Sequence, residues 1–405
     1  MNIRCIRCKG RDPSICGRTY CPIMVKIGAQ KKVNIEAKQD FFGQSPNVFV
    51  GRFGYPHVNV GVLSVEHYEE HDNPLLWSKE NYDIATIINL RSSLVNSNFK
   101  AQITGFKERF MEMSKEVGMA EKPVDVEIGL SKKPVFSLSF NQDTMPHGPN
   151  VELKKARITE NPKIPGIVDK VADDTDLKAS LAINELYKKE IDEHYLTRLL
   201  SIGTLGLKKQ RKLVPTRWSI TAVDDTLAKS MIKEVKDYNL HDYAVFFGSH
   251  LGNYYVAIFF PEVWSYELFE TYVGKSTWHD SEEVTTMTDY EGYDGRKDYA
   301  SNTVGGYYAA RLAVLEYLKK VKRQSSVLLL RFITGEYYAP LGVWVVREAT
   351  RKALANKPLV FDSRDLMLKY VQGLVKKRFG LNVEPILRQS ILLSNVKTQR
   401  KLGEF

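Results

Sequence analysis

Apolar and polar positions alternate through residues 41–62 in the way that β-strands require. Gly51 and Gly54 interrupt this alternation, so we predict a strand, a glycine turn and a second strand. Apolar residues then recur at helical spacing from Ile84, with Ser78 as a candidate N-cap upstream. The first part of the chain is therefore expected to mix both kinds of element.

The same mixture continues to the C-terminal end. Helices are predicted over 106–118, 167–187, 190–201, 304–321, 342–355 and 364–378, and strands over 124–130, 135–140, 244–247, 254–260 and 327–332. Because strands and helices do not alternate strictly, the predicted fold class is α+β, a mixed α/β arrangement.

A change of composition marks the expected domain boundary. Residues 141–166 hold four prolines and two glycines without apolar periodicity, which is typical of a linker or a long loop. Because all four cysteines lie within the first 21 residues, a ligand set that can bind one Zn²⁺ ion, we predict a zinc knuckle packed on a two-part globular body with a flexible C-terminal tail. The predicted parts are a basic four-cysteine zinc-binding segment (1–32), an N-terminal α+β domain (33–150), a C-terminal α+β domain (151–385) and a tail (386–405).

Hydropathy predicts no membrane partner. The richest apolar run, residues 243–260, is interrupted by His250 and Asn253, whereas a span needs roughly 18 uninterrupted apolar residues. The N-terminus has no apolar core of the kind that a signal peptide carries. We expect a soluble, cytoplasmic protein that associates with the nucleoid.

Charge refines this expectation. The chain has 58 Lys and Arg against 48 Asp and Glu, and its net charge of +10 favours polyanionic partners. Residues 1–32 carry eight basic and one acidic side chain, and residues 376–405 carry seven and two, which leaves the long middle nearly neutral. The protein is thus predicted to be an ordinary folded body with two cationic ends, and not a uniformly basic packaging protein.

All four cysteines lie within the first 21 residues, with the spacing C-x2-C-x7-C-x4-C. Four thiolates at such spacing can complete a tetrahedron around one Zn²⁺ ion and leave no open position, so the prediction is a structural zinc site. An iron–sulfur cluster also takes four thiolates, and two local disulfides are a further alternative. The predicted ligands are Cys5, Cys8, Cys16 and Cys21.

Two other segments carry candidate binding residues. Arg52 lies at the predicted glycine turn, where its guanidinium and the backbone N–H groups could receive a phosphate. An ordinary hairpin with an exposed arginine is the alternative. The second segment, at 289–308, could hold Mg²⁺ or a nucleotide, or could be an ordered surface loop. Its candidate residues are Asp289, Glu291, Asp294, Arg296, Gly305 and Gly306.

The last seven residues fit the pattern Q-x-x-h-x-x-a of the motif that binds the sliding clamp PCNA. Leu402 and Phe405 are three residues apart, so one 3₁₀ turn would place both on the same side to fill an apolar pocket, while Gln399 forms a hydrogen bond nearby. Many such motifs carry two adjacent aromatic residues and this one carries one, so we expect weaker binding to PCNA.

Five sequence features together resemble the archaeal NreA-type DNA repair proteins. They are the cysteine pattern, residues 45–56, residues 156–166, the E-G-Y-D-G-R stretch from Glu291 and the terminal Q-R-K-L-G-E-F. The resemblance implies repair of damaged DNA together with PCNA, and a zinc finger with four cysteine ligands at the N-terminus. It supplies no catalytic residues.

Our hypothesis is a DNA repair protein that PCNA recruits through the C-terminal motif and that contacts DNA with its zinc-stabilised basic N-terminus. One alternative is an enzyme that processes nucleotides or DNA ends with the loop at 289–308. Another is a non-catalytic scaffold that links PCNA to a second repair enzyme.

Overall fold

A computed structural model describes residues 38–106, 109–135, 147–274 and 284–398, together with Cys21, Met24 and Gly28. This part of the chain forms twelve α-helices and three sheets, which confirms the mixed α+β class. None of the described helices combines the length and the apolar character of a bilayer span.

The described chain divides into two compact units between Leu227 and Ala228. This division falls within α7 (Thr216–Val235), whereas the boundary predicted from the sequence lies between residues 150 and 151. The reason for the difference is that the proline-rich stretch contains a strand, Asn150–Ile158, which pairs with two strands of the first unit.

The first unit is built on a closed five-stranded barrel with the order β1-β2-β3-β5-β4. Strands β3 and β5 run parallel and the other neighbours run antiparallel. The strands are β1 (Asp40–Val50), β2 (His57–Val65), β3 (Val95–Gln102), β4 (Val124–Leu130) and β5 (Asn150–Ile158).

Strand β1 closes the barrel because it pairs with two partners. Its first half pairs with β4 and its second half pairs with β2, and an irregularity between Gln44 and Asn47 lets the strand bend from one to the other. The alternation predicted from the sequence fills the interior, since Val58, Val60 and Val62 are fully buried.

Six helices of the first unit lie along the chain between or after the barrel strands: two between β2 and β3, one between β3 and β4, and three after β5. They are α1 (Pro74–Lys79), α2 (Ile84–Ser93), α3 (Met111–Met119), α4 (Gly166–Asp173), α5 (Ala179–Lys188) and α6 (Glu193–Ser201). Helix α3 lies between β3 and β4 in the chain and packs against β1, β2 and β5.

The helix predicted from Ile84 is confirmed, but its N-cap is Asp83 and not Ser78. The Asp83 carboxylate accepts a hydrogen bond from the Thr86 N–H at 2.7 Å, whereas Ser78 is buried inside α1.

The second unit contains a six-stranded mixed sheet with the order β10-β9-β12-β8-β7-β13, in which β9 and β12 run parallel. The strands are β7 (Tyr243–His250), β8 (Asn253–Phe260), β9 (Ser265–Tyr272), β10 (Thr285–Glu291), β12 (Ser326–Ile333) and β13 (Leu359–Phe361). Two short strands, β6 (Asn239–Leu240) and β11 (Arg323–Gln324), pair separately.

Helices cover both faces of this sheet. Tyr266, Glu270 and Arg331 point toward α8 (Val304–Val321) and α9 (Trp344–Ala355). The other face packs Phe269, Leu330 and their neighbours against α10 (Arg364–Phe379), α11 (Glu384–Gln389) and α12 (Ile391–Thr398). Because helices cover both faces, the central strand β12 is buried along its whole length, and residues 327–330 within it form a continuous apolar run.

The predicted hairpin of β7 and β8 is confirmed, with longer strands and a tighter turn. The turn consists of Leu251 and Gly252, both at positive φ. A Cβ atom on Gly252 would lie 2.4 Å from the Tyr337 nitrogen, so glycine is required there for space as well as for conformation.

Candidate functional site

Most of the predicted terminal site residues lie outside the described part of the chain. These are Cys5, Cys8, Cys16, Gln399, Leu402 and Phe405. Cys21, the remaining predicted zinc ligand, is described and half-buried. The zinc ligand set and the PCNA-binding motif therefore stay predictions.

Arg52 lies in the turn between β1 and β2, where it is exposed. Its guanidinium lies over the Phe53 ring, 5.1 Å from the centroid. Gly54 has a φ of +82°, and the His57 N–H donates to the Gly54 carbonyl at 2.8 Å, so a compact turn presents Arg52 to solvent. The turn belongs to the first unit, and the segment at 289–308 belongs to the second.

Asp289 is buried at the start of that segment and is fully engaged. Its Oδ2 accepts hydrogen bonds from the N–H groups of Asn302 (3.0 Å) and Thr303 (2.8 Å) and from the Thr303 hydroxyl (2.9 Å). Its Oδ1 lies 3.1 Å from the Arg296 guanidinium. The carboxylate therefore fastens the entry of α8 and holds the loop closed.

Arg296 organises the rest of the loop through backbone carbonyls. Its nitrogens donate to the carbonyl oxygens of Tyr290 (2.9 Å), Asp298 (3.1 Å) and Tyr299 (3.2 Å). Together with the Asp289 contact, these bonds direct the guanidinium into the loop and leave it poorly placed to bind a phosphate.

Glu291 and Arg311 form an ion pair that is completely removed from solvent. The Arg311 Nη1 lies 2.6 Å from the Glu291 Oε2, and both side chains have 0% exposure. The pair joins the edge strand β10 to α8, since Glu291 ends the strand and Arg311 lies on the helix. Separation of these charges in the apolar interior would leave each of them uncompensated.

A second buried pair lies on the same face of the sheet. Arg331 Nη1 lies 2.5 Å from Glu270 Oε1, and the other guanidinium nitrogens donate to Asn253 Oδ1 at 3.1 and 2.5 Å. Burial by itself lowers the pKa of Arg331, but Tyr255 and Glu270 outweigh it and raise that pKa above its ordinary value. Arg331 is therefore held as a cation.

Gly306 allows α8 to approach this second pair. A Cβ atom at position 306 would lie 2.5 Å from Glu270 Oε1, so a side chain there would have to displace either the helix or the Glu270 carboxylate from its pair with Arg331. Gly306 was predicted to bind an anion, but the geometry gives it another role, which is to allow close packing of α8 against Glu270. Gly305 is half-buried, and Asp294 is exposed in the turn that Gly295 completes with a φ of +76°.

Buried tyrosines complete the cluster. The rings of Tyr266 and Tyr307 meet edge to face with centroids 5.0 Å apart. Burial raises the pKa of both phenols well above the ordinary value, and Tyr255 adds to the effect on Tyr266. Both phenols are therefore neutral, and neither is available as a general base.

The cluster as a whole is suited to holding α8 on the sheet. Within the described ranges, no three His, Cys, Asp or Glu side chains are grouped closely enough to hold a metal ion. The carboxylates of Asp289 and Glu291 already accept bonds from arginine, and the first also accepts bonds from the backbone. The geometry thus favours the ordered-loop alternative for residues 289–308.

The site residues predicted from the sequence do not include Glu270, Arg311 or Arg331. The signal was present, because Glu270 and Arg331 stand inside the strand sequences SYELFETY and SVLLLRFI, and a charge there must find a buried partner. The partner could not be identified, since β9 and β12 are far apart in the chain and meet only in the folded sheet.

Comparisons with known proteins cover nearly the whole chain. Residues 15–279 match the family model described as Archaeal Nre, N-terminal, and residues 291–405 match Archaeal Nre, C-terminal. The chain is 38% identical to the DNA repair protein NreB of Archaeoglobus fulgidus over 99% of both chains.

Two further relatives are named NreA. The DNA repair protein NreA of Archaeoglobus fulgidus is 39% identical over 90% of this chain and 92% of its own. The DNA repair protein NreA of Haloferax volcanii is 38% identical over 78% of each chain. No solved structure matches the chain.

Proposed function

The chain belongs to the archaeal Nre family, and from this membership we propose that it is a DNA repair protein which PCNA recruits to DNA. The observation that carries the proposal is the full-length similarity to relatives named as DNA repair proteins, combined with the terminal Q-x-x-L-x-x-F sequence. The proposed clamp-binding residues are Gln399, Leu402 and Phe405, and the proposed zinc ligands are Cys5, Cys8, Cys16 and Cys21.

Calorimetry with PCNA tests recruitment. We expect the double variant Leu402→Ala and Phe405→Ala to lose binding, because both apolar groups that fill the clamp pocket are removed. Glu404→Ala is the matched control, since Glu404 occupies a position that the motif leaves open. Equal affinity of the double variant and the unsubstituted protein would refute the motif assignment.

Metal analysis tests the N-terminal site. We propose one structural Zn²⁺ per chain, bound by four thiolates, and we expect Cys8→Ser to lose the ion. Ser14→Ala, which lies between the two cysteine pairs, is the control. Iron accompanied by visible absorbance would replace zinc by a cluster, and intact disulfides with no metal would reject both assignments.

DNA contact by the basic N-terminus predicts a dependence on salt. Each phosphate neutralised on a duplex contributes about −0.9 to the slope of log K against log salt. Replacement of Arg4 and Arg7 by alanine should therefore make the slope shallower by up to about 1.8. Exposed Arg157, on β5 of the first unit, provides the control substitution.

The two alternatives give different experimental results. A nucleotide- or DNA-end-processing enzyme would lose its activity in the triple variant Asp289→Asn, Glu291→Gln, Asp294→Asn while the protein stayed folded. The buried bonds of Asp289 and Glu291 predict instead that this variant loses stability. A scaffold would bind PCNA and have no measurable affinity for DNA.

A further inference from the structure

The barrel of the first unit has a specific topology. Its five strands close in the order β1-β2-β3-β5-β4, β3 is parallel to β5, and α3 lies between β3 and β4. This is the arrangement of the OB barrel, in which the face of the second and third strands and the adjoining loops bind oligonucleotides or oligosaccharides. Because a fold does not by itself establish a function, the side chains on that face must decide.

Four large aromatic side chains are exposed on or beside this face, and we call them the aromatic face. Phe53 is 81% exposed, and the others are between 41% and 46% exposed. The rings of Tyr55 and Trp218 lie 5.3 Å apart and tilted, so they support each other and still present ring surface to solvent. The aromatic face consists of Phe49, Phe53, Tyr55 and Trp218.

Hydrogen bonds bring three distant segments together around these rings. The Ile103 N–H, just after β3, donates to the Pro56 carbonyl at 3.0 Å, and the Leu213 N–H donates to the Ile103 carbonyl at 2.8 Å. The Val50 N–H donates to the Thr216 hydroxyl at 2.9 Å, which fixes the start of α7 beside the end of β1. These hydrogen bonds hold the three segments next to one another, so the segments form one continuous surface.

The three chain segments that form this surface carry charge of one sign. Segments 51–59, 95–102 and 203–218 together contain seven Lys and Arg and no Asp or Glu. Arg211 is the one whose guanidinium is committed to backbone carbonyls, those of Ala172, Asp174 and Gly206, with Asp173 and Asp174 close by. The other six are exposed: Arg52, Lys100, Lys208, Lys209, Lys212 and Arg217.

Uncharged amides also lie on the outer surface of β2 and β3. Asn59 of β2 is exposed opposite Lys100 of β3, and Asn98 of β3 is half-buried opposite Gly61. Amides of this kind can donate to and accept from the edges of bases. Exposed rings, exposed cations and amides therefore occur together on one side of the barrel.

We propose that this face binds single-stranded DNA, with bases stacked on the aromatic face and phosphates beside Arg52, Lys100 and Arg217. Aromatic rings among cations are the means by which proteins bind unpaired strands, since each unpaired base offers a ring surface that a duplex hides. The choice of DNA over RNA rests on the proposed repair function. The proposal uses neither the basic residues of the N-terminus nor the PCNA-binding motif.

Fluorescence anisotropy of the full-length protein with a labelled oligothymidylate of about 20 nucleotides tests the proposal, since one barrel covers fewer nucleotides than that. We expect Phe53→Ala, Tyr55→Ala and Trp218→Ala each to weaken binding about fivefold or more, and Trp218→Phe to retain most of it. The double variant Arg52→Ala, Arg217→Ala should make the salt slope shallower by up to about 1.4.

Matched controls come from the same barrel. Phe42 is 59% exposed but lies on the half of β1 that pairs with β4, so Phe42→Ala should bind normally. Arg157→Ala on β5 serves the same purpose for charge. Circular dichroism of each variant confirms folding, and exposed Phe53 is the substitution that disturbs the fold least.

Three results would overturn the proposal. The first is unchanged binding by the three aromatic variants, which would assign any affinity to the termini. The second is equal competition by a duplex of the same length. The third is binding of an oligouridylate more than about tenfold tighter, which would assign the face to RNA. Because the assay contains no PCNA, failure of clamp recruitment would not alter these results.

Discussion

The carboxylate of Glu267 accepts a hydrogen bond from the Ser390 hydroxyl at 2.5 Å, which joins β9 to the start of α12, the last described helix. Ser390 in turn accepts from the Leu393 N–H at 3.0 Å, and the Leu392 N–H donates to Glu267 at 3.0 Å. Serine and glutamate together therefore cap the first turn of α12, where negative charge is favoured. The proposed clamp motif follows this helix directly in the sequence.

Removal of this cap should loosen the end of the second unit. Glu267→Ala leaves Ser390 and the first N–H groups of α12 without their acceptor, and we expect a loss of about 1–3 kcal/mol in the free energy of unfolding. Urea unfolding measures the loss, and hydrogen exchange should show α12 opening first. Glu127→Ala on the barrel surface is the control, and an equal effect of both substitutions would contradict the capping role.

The buried pair of Glu291 and Arg311 should show strong coupling. Arg311→Met leaves a buried carboxylate without its cation, and we expect a loss of about 3–5 kcal/mol. The double variant with Glu291→Gln should lose less than the sum of the two single losses, because no unpaired charge is left. A double-mutant cycle by urea unfolding measures the coupling, and additive losses would show that the pair is not coupled.

Two glycines should respond in opposite directions to the same substitution. Gly306→Ala places a methyl group 2.5 Å from Glu270 Oε1, and we expect overpacking to cost about 1–3 kcal/mol. Gly373 lies inside α10 with no atom within 4 Å of the Cβ position, so Gly373→Ala should stabilise the protein by about 0.5–1 kcal/mol. Thermal unfolding compares them, and a stabilising Gly306→Ala would be inconsistent with the close approach of α8.

His250 should make the second unit sensitive to acid. Burial first, and then the neighbouring Lys352, lower the pKa of His250 to about 4 from its ordinary 6.5. Between these two pH values the unfolded chain therefore binds a proton that the folded chain does not bind. As a result, the free energy of unfolding decreases as the pH falls from 6.5 toward 4.

The variant His250→Gln isolates this effect. Urea unfolding of both proteins at neutral pH and at about pH 5 should show a smaller loss for the variant, because glutamine does not titrate in that interval. The Lys352 ammonium, which donates to the His250 Nδ1 at 3.1 Å, stays in place in both proteins. Equal losses of unfolding free energy in the two proteins would show that His250 does not cause the acid sensitivity.

Local patterns predicted many of the elements. The hairpin of β7 and β8, the helix α8 and the strand β12 all follow from periodicity and glycine placement, because the residues that decide them are neighbours in the chain. The helix predicted at 106–118 begins only at Met111, and the run at 167–187 is divided into α4 and α5. The strand predicted at 135–140 lies almost entirely outside the described residues.

Pairings between strands that are far apart in the chain could not be predicted from local patterns. Closure of the barrel depends on β1 with β4 and on β3 with β5, and no local signal specifies either pair. For the same reason the sequence alone leaves Asp289 and Glu291 as candidate ligands, although in the fold their carboxylates form ion pairs with Arg296 and Arg311. The aromatic face likewise depends on the fold, because only the folded barrel brings Tyr55 beside Trp218.

The two buried arginine–glutamate pairs also bear on how the second unit responds to heat. Removal of charged groups from water becomes less costly as temperature rises, since their hydration loses favourable free energy on warming. Glu291 with Arg311, and Glu270 with Arg331, should therefore oppose unfolding more effectively in a hot solution than in a cool one. The contacts that fix α8 to the sheet should thus also help the second unit to resist unfolding at high temperature.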